Sequence, residues 1–268
     1  MRRYVVLGLA VVVAVLPFVW MLLTAFKTGP EVFAWPPTLL PQHPTLANFS
    51  RAWGTGNFPR LFFNSAVVAT LATVCNLIFD SMAAFAFARM RFPGREALFG
   101  VVLATMMLPA VVTIIPLFLI VKSMPGGWLN SYQGIVAPGA ATAFGIFLFR
   151  QYFETIPIEI DEAARLDGAS LWRTYWQLIM PLSAPAAVTV AIFTFISQWN
   201  DFLWPLVVAT DADMYTVQVG LSYFTSEHTI DWPLLMAGAV IVTLPVLAIY
   251  FGLQRYFVGG LTMGGVKE

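Results

Sequence analysis

The sequence is poor in charge, with Asp, Glu, Lys and Arg making up only 10% of its 268 residues. Soluble domains carry roughly 25% charged residues. A chain with so few charges cannot cover a water-exposed surface, which excludes an ordinary soluble protein. The 14 acidic and 14 basic side chains also balance. Because the net charge is zero, there is no overall attraction to nucleic acid, and we predict no nucleic-acid partner.

Cysteine and histidine are scarce as well. Cys75 is the one cysteine, which excludes an internal disulfide and a cysteine metal cluster. The two histidines, His43 and His228, are far apart in the sequence and lack metal-ligand spacing. The phosphate-loop pattern Gly-x-x-x-x-Gly-Lys-Ser/Thr is also absent. We therefore predict no catalytic residue, no metal site and no cofactor bound by this chain.

Long apolar runs take the place of charge, and residues 4–26 form the clearest one. No charged residue lies between Arg3 and Lys27. A helix of this length is about 34 Å long, which is enough for the roughly 30 Å hydrocarbon core of a bilayer. The run is too long for the apolar part of a signal peptide, and no small-residue cleavage pattern precedes Lys27. We predict a retained signal-anchor helix.

Charge spacing and helix breakers indicate five further spans. Prolines such as Pro109 and Pro116 are tolerated inside a span where neighbouring helices or water satisfy the freed carbonyls. We therefore predict an all-α polytopic membrane protein whose residues 1–268 form a single transmembrane domain. The six predicted transmembrane helices are residues 4–26, 62–88, 97–121, 132–149, 183–206 and 234–254.

The distribution of basic residues predicts the orientation. Six spans place both termini on one side, and cytoplasmic loops carry an excess of Lys and Arg. With the termini inside, the outer segments hold four basic residues: Lys27, Arg51, Arg60 and Lys122. The inner segments then hold ten: Arg2, Arg3, Arg89, Arg91, Arg95, Arg150, Arg165, Arg173, Arg255 and Lys267. Both termini and the loop between spans four and five are therefore predicted to be cytoplasmic.

That loop, residues 155–181, has the pattern of two short helices and is called the coupling segment below. Pro157 suits the first turn of a helix, and Asp167-Gly168 ends it, with Gly168 able to take the left-handed conformation. Ser170 can cap a second helix over 171–179. Ile156, Ile160, Ala163 and Ala164 are predicted to share one flat face. From periodicity alone, an amphipathic connector on the membrane surface is an equal alternative to a docking surface.

A spaced motif within this segment resembles the EAA loop of ABC-importer permeases, whose pattern is E-A-A-x3-G-x9-I-x-L-P. Leu178 replaces Ile and Met180 replaces Leu, and both changes conserve an apolar side chain of similar volume. The motif residues are Glu162, Ala163, Ala164, Gly168, Leu178, Met180 and Pro181.

The rest of the chain resembles the carbohydrate, or maltose-type, branch of these permeases, with the motifs in order over nearly its whole length. The matching stretches are Asn64-Ser65, residues 91–95 (RFPGR), residues 199–205 (WNDFLWP) and residues 260–267 (GLTMGGVK).

The resemblance implies a subunit that binds neither ATP nor Mg²⁺, which belong to two cytoplasmic ATPase subunits. The coupling segment would dock into a cleft of an ATPase subunit. Glu162 would make an electrostatic contact, Ala163 and Ala164 would fill the cleft, and Asp167-Gly168 would permit the turn. The C-terminal tail, with Gly264, Gly265 and Lys267, would reach between the ATPase subunits.

The other implied partners are a second, homologous permease that completes a heterodimer, an extracytoplasmic sugar-binding protein and membrane lipid. The implied location is the cytoplasmic (inner) membrane of a bacterium or archaeon. ATP-driven closure of the ATPase dimer would turn the permease pair from inward-facing to outward-facing, and sugar would pass between the two subunits.

Two sets of polar residues inside the predicted spans remain open to more than one interpretation. Intramembrane carboxylates usually face a cavity or a partner. Trp199, Asn200 and Asp201 in span five could line the sugar pathway, or could bond other helices. Asp80 in span two is expected to be structural. The alternative functions are an ion-coupled secondary transporter and a membrane scaffold subunit that does not transport, although neither would require a segment of this design.

Overall fold

The structure, a computed structural model, describes residues 2–225 and 230–262, and these residues are helical apart from loops and an isolated bridge between Thr225 and Ile230. Short 3₁₀ turns cover Thr55–Asn57, Ala137–Gly139 and Ala212–Met214, and Tyr175–Ile179 is a π-helical turn. The α-helices are α1 Arg2–Ala25, α2 Gly29–Val32, α3 Ala47–Gly54, α4 Phe58–Arg89, α5 Arg95–Thr105, α6 Ala110–Ser123, α7 Tyr132–Val136, α8 Ala143–Thr155, α9 Glu159–Leu166, α10 Leu171–Thr174, α11 Met180–Leu182, α12 Ala184–Asn200, α13 Leu203–Val208, α14 Val217–Ser222 and α15 Trp232–Thr262.

Helices that are long and apolar enough to cross a membrane confirm a polytopic membrane protein. In the described part of the chain, three single helices meet this requirement, over Arg3–Ala25, Phe58–Arg89 and Trp232–Gly252. Three bent pairs meet it when each pair is counted as one span, which gives up to six spans. The pairs bend by 102° between α5 and α6, by 46° between the α7 region and α8, and by 78° where α11 meets α12.

The bend inside predicted span three follows from Pro109. This proline has an extended backbone (φ −61°, ψ 130°) and stands directly before α6. Proline disfavours the helical conformation in the residue before it, here Leu108, so that α5 cannot run straight into α6. Predicted span three, residues 97–121, is therefore a pair of helices joined by a bend.

The helices in predicted spans four and five end at other residues than the predicted spans do. Helix α8 continues past residue 149 to Thr155, and Arg150 is buried against the aromatic ring of Phe99. Helix α12 ends at Asn200, and α13 follows it over Leu203–Val208. Pro205 lacks the N–H that would bond the carbonyl of Asp201 four residues earlier, so the helix stops there.

The chain divides into two compact units. The first comprises Met1–Asn64 and Tyr215–Leu247. In it, the Asn48 side chain donates to the carbonyls of Ala25 and Lys27, at 2.9 and 2.8 Å, and so satisfies carbonyls at the end of α1.

The second unit comprises Ser65–Met214 and Ala248–Glu268 and contains the coupling segment. One of its buried clusters is rich in aromatic rings and draws on α4, α5, α8, the π-helical turn and α12. Phe149 and Phe153 of α8 lie at its centre, and neither is exposed to solvent. Tyr175 of the π-helical turn packs on Phe85 of α4 with ring centroids 5.2 Å apart. The coupling segment is therefore anchored on the same cluster as the long helices.

Candidate functional site

The first half of the coupling segment is the helix α9, which ends in a tight left-handed turn at Gly168. Gly168 has φ +76°. Its N–H donates to the carbonyl of Arg165 at 3.0 Å, and the N–H of Ala169 donates to the carbonyl of Ala164 at 2.8 Å. This pair of bonds is the Schellman arrangement, which satisfies two carbonyls at a helix end. The predicted left-handed turn at Gly168 is confirmed.

The second half begins at Ser170, as the sequence predicted. The Ser170 hydroxyl accepts a hydrogen bond from the backbone N–H of Arg173 at 3.3 Å, which caps α10. The chain then passes through the π-helical turn and α11 and bends directly into α12. The coupling segment and α12 are therefore continuous in sequence, with the bend next to Ser183.

The burial pattern of α9 separates an inner from an outer surface. Asp161 and Ala164 face inward and are buried. Glu162 and Ala163 are exposed, and Leu166 is 90% exposed. Across the turn, Leu171 and Trp172 are exposed as well. We call Glu162, Ala163, Leu166, Leu171 and Trp172 the outer surface. Ala163 and Ala164 were both expected in one contact, whereas only Ala163 is on this surface and Ala164 is buried.

Arg89, the last residue of α4, holds the segment in place. One of its terminal nitrogens, Nη2, donates to the carbonyls of Phe153 and Ile156, both at 2.7 Å. These carbonyls belong to the end of α8 and the residue that follows it, and the Phe153 carbonyl also accepts from the backbone N–H of Ile156 at 3.1 Å. The other terminal nitrogen, Nη1, lies 3.5 Å from Asp161 Oδ2. One guanidinium thus connects α4, the end of α8 and α9.

A groove of about 870 Å³ lies between α8 and α12. Its volume is within the range of roughly 300–1,000 Å³ that is usual for ligand pockets. From α8 it is lined by Phe144, Phe147, Leu148, Gln151, Tyr152 and Thr155. From α12 it is lined by Ala186, Thr189, Phe193, Thr194, Ser197 and Gln198. Asn76 of α4 and Thr142 complete it, and we call this the α8–α12 groove.

Two polar residues of α4 hold the break between α7 and α8, beside this groove. Asn76 donates to the carbonyl of Gly139 at 2.6 Å and accepts from the hydroxyl of Thr194 at 3.1 Å. One turn later, Asp80 accepts from the backbone N–H and the hydroxyl of Thr142, at 2.7 and 2.8 Å. Asp80 is therefore fully engaged in fixing the start of α8, which agrees with the structural role expected for it.

The comparisons with known proteins agree with one another. The family model described as "Binding-protein-dependent transport system inner membrane component" matches residues 76–262. The chain belongs to this family. The permease protein NgcG of the diacetylchitobiose uptake system of Streptomyces coelicolor is 33% identical to it, over 94% of this chain and 84% of that protein.

Other relatives and a solved structure extend this family relationship. The arabinooligosaccharide transport permease AraQ of Halalkalibacterium halodurans is 33% identical to this permease, over 95% of this chain and 92% of that protein. The sn-glycerol-3-phosphate transport permease UgpE of Yersinia enterocolitica is 35% identical, over 96% and 94%. A chain of a bacterial ABC transporter that imports the acidic polysaccharide alginate has a TM-score of 0.86 and 27% identity, over 96% of this permease and 95% of that chain.

The residues predicted to line a sugar pathway lie together at the end of α12, but each is engaged within the permease. Trp199 is 1% exposed, and its ring stacks on Phe195 with centroids 5.7 Å apart. Asn200 donates to the carbonyl of Ile196 at 2.9 Å. Asp201 accepts from the backbone N–H of Trp204 at 3.5 Å, at the start of α13. The adjacent Gln198, rather than these three, lines the α8–α12 groove.

The groove residues of α12 were not among the predicted site residues, although the sequence contains a signal for them. Thr194, Ser197 and Gln198 have the spacing i, i+3, i+4 that places side chains on one face of α12, within a helix that is otherwise mostly apolar. A polar stripe of this kind inside a membrane span indicates a cavity or a partner.

The tail residues Gly264, Gly265 and Lys267 lie outside the described residues. Within residues 2–225 and 230–262, no group of three His, Cys, Asp or Glu side chains could hold a metal ion.

Proposed function

We propose that this permease forms half of the translocation pathway of an ATP-driven sugar importer, together with a second, homologous permease. NgcG and AraQ, whose names specify diacetylchitobiose and arabinooligosaccharides, support a carbohydrate substrate. The observation that carries the proposal is the coupling segment. It presents an exposed polar and apolar surface on α9, which is anchored to α4 and α8, and its second half continues into α12.

The outer surface would dock on one of two cytoplasmic ATPase subunits, which bind ATP and Mg²⁺ and carry out the hydrolysis. Glu162 would supply an electrostatic contact, and Ala163 and Leu166 would fill an apolar cleft. Asp167 and Gly168 would set the turn between the two halves of the segment. Ala164, being buried, would support this surface from within, and the tail residues Gly264, Gly265 and Lys267 would add a second contact with the ATPase.

An extracytoplasmic binding protein would deliver the sugar to the opposite side. In this arrangement the chain crosses the inner membrane of a bacterium or archaeon six times, with both termini in the cytoplasm. The ten inner and four outer basic residues of the predicted segments support this orientation. Asn200 and Asp201, beside the buried Trp199, would lie along the pathway at the end of α12.

The proposal is tested with the complete importer in proteoliposomes. Uptake of a neutral sugar should require ATP and binding protein, and should persist when ionophores collapse the proton and sodium gradients. Uptake that needs an ion gradient but no ATP would instead identify an ion-coupled secondary transporter. An assembled complex that transports nothing, with hydrolysis unaffected by the binding protein, would identify a scaffold subunit.

The docking contact is tested separately with Glu162→Lys, which reverses a charge on the exposed outer surface. Co-purification of the ATPase should decrease while the amount of permease in the membrane is unchanged. Lys122→Glu, a charge reversal at an exposed residue outside the coupling segment, is the control and should leave co-purification as in the wild type. Equal co-purification with both variants would remove Glu162 from the contact.

A further inference from the structure

The relatives do not agree on substrate charge, because diacetylchitobiose and arabinooligosaccharides are neutral whereas sn-glycerol 3-phosphate is an anion. The side chains that line the α8–α12 groove indicate the substrate charge that this chain itself can accept. None of its lining side chains is Asp, Glu, Lys, Arg or His. A phosphate or carboxylate placed there would be a charge removed from water without a counter-ion, which is strongly unfavourable.

The charged residues near the groove on the same elements are already paired. Arg150 of α8 lies 3.0 Å from Glu154 and 3.1 Å from Glu96. Asp80 of α4 accepts both hydrogen bonds from Thr142. Among the described residues that line the groove there is thus no cation to receive an anionic group, and the Asp80 carboxylate next to Thr142 would repel one.

The polar lining separates into side chains that are bonded within the permease and side chains that are not. Asn76, Thr142, Thr155, Thr189 and Thr194 all use their polar atoms in bonds to the chain. By contrast, no hydrogen bond among residues 2–225 and 230–262 uses the side chain of Gln151, Ser197 or Gln198. Amides and hydroxyls left unbonded in hydrocarbon are costly, which argues for water or a polar ligand in the groove rather than a lipid chain.

The apolar lining of the groove includes aromatic rings from both helices. Phe144 of α8 and Phe193 of α12 meet edge to face, with ring centroids 5.5 Å apart. Aromatic rings offer a flat apolar surface to the C–H face of a sugar, while amides and hydroxyls suit its hydroxyl groups. The groove also adjoins the unwound residues between Gly139 and Thr142, and irregular backbone at membrane depth is tolerated where it lines a cavity.

We propose that the α8–α12 groove is a binding subsite for an uncharged carbohydrate, with Gln198 and Ser197 as the residues that hydrogen-bond it. This inference rests on the proposed import function and adds a selection on charge that the permease itself makes. Substrates that carry a phosphate or carboxylate are excluded from this subsite.

The test uses the complete importer in proteoliposomes with four radiolabelled probes: maltose, N,N′-diacetylchitobiose, arabinobiose and sn-glycerol 3-phosphate. At least one neutral probe should be taken up, and sn-glycerol 3-phosphate should not. Gln198→Leu keeps a similar volume and removes one hydrogen-bonding group, so uptake of the neutral probe should fall about two- to tenfold. Ser197→Ala should reduce uptake of the neutral probe by a factor in the same range. ATP hydrolysis stimulated by the binding protein should persist in both variants.

Gln133→Leu is the matched control, because Gln133 is an exposed glutamine outside the groove. Sugar uptake by the Gln133→Leu importer should equal that of the wild type. Wild-type uptake by an assembled Gln198→Leu complex would overturn the subsite and leave the import function standing. Loss of the co-purified second permease in Gln198→Leu would show that the groove is a subunit contact, which also overturns the proposal. Uptake of sn-glycerol 3-phosphate would refute the selection on charge. An assembled wild-type importer that takes up no sugar would refute the import function itself.

Discussion

Arg89 and Asp161 form an ion pair inside the second unit, with Arg89 Nη1 3.5 Å from Asp161 Oδ2 and both side chains at most 6% exposed. The pair connects the end of α4 to the inner surface of α9. Loss of the Asp161 charge leaves the buried Arg89 guanidinium without its counter-ion, whereas loss of Arg89 also removes its bonds to the carbonyls of Phe153 and Ile156.

Asp161→Asn should therefore destabilise the permease, since removing one member of a buried ion pair costs about 3–5 kcal/mol. The measurement is the temperature of half-inactivation of the purified importer in detergent, with ATPase co-purification as a second readout. Glu159→Gln, at an exposed acidic residue on the same helix, should change neither. Arg89→Leu combined with Asp161→Leu should recover only part of the loss, because the bonds from Arg89 to the carbonyls of Phe153 and Ile156 are still missing. Equal stability of Asp161→Asn and Glu159→Gln would contradict the role of the pair.

Gly168→Val should impair transport because valine strains the backbone at this position, and not because its side chain collides with a neighbour. A β-carbon at Gly168 meets no atom within 4 Å, so the cost comes from φ +76°, which a β-branched residue adopts only with strain. The left-handed conformation costs an L-residue roughly 1–2 kcal/mol, and more for a branched one. Asn tolerates this conformation, so Gly168→Asn is the matched control. Sugar uptake at equal expression should fall for Val and be nearly preserved for Asn, and equal uptake by both would refute the turn requirement.

Gly145→Ala should loosen the start of α8. A β-carbon at Gly145 would lie 1.9 Å from Asp80 Oδ2, so the carboxylate that holds Thr142 would have to move. Forced rearrangement of a packed site typically costs about 1–3 kcal/mol. The half-inactivation temperature should decrease. Gly100→Ala in α5 meets no atom within 4 Å and provides the comparison, for which the temperature should not decrease. If both variants were as stable as the wild type, the close approach of Asp80 would be unimportant.

The predicted orientation is tested by labelling engineered thiols in a Cys75→Ala background. A maleimide that cannot cross the membrane should label Gln42→Cys in intact cells or spheroplasts. Ser170→Cys, in the coupling segment, should react only after permeabilisation. Both positions are exposed in the structure, so that access and not burial decides the result. Labelling of Ser170→Cys in intact cells would reverse the orientation and remove the docking proposal with it.

Local signals in the sequence predicted local features well. The uncharged run after Arg3 predicted α1, because its length and apolar composition depend on no other part of the chain. Gly168 and Ser170 predicted a turn and a cap, since both act through bonds to residues at most five positions away. The resemblance of the motifs predicted the family, which the match over residues 76–262 confirms.

Features that depend on distant partners could not be predicted. Asp80 and Thr142 are 62 residues apart, and nothing in either neighbourhood identifies the other. Periodicity placed Ala163 and Ala164 on one face of α9. It does not show which of the two side chains the rest of the chain buries, and in the structure this is Ala164. Proline likewise marks where a helix bond is lost, whereas the size of the bend depends on what packs around it.

The two bonds from α4 also limit how the α7 and α8 helices can move. Asn76 holds the carbonyl of Gly139, and Asp80 holds the N–H of Thr142, so both ends of the unwound gap are attached to one rigid helix at positions a single turn apart. A helical turn rises about 5.4 Å, and it acts here as a fixed spacer. We expect the gap to keep a constant length, so that α8 can tilt about this point but cannot slide along its own axis away from α7.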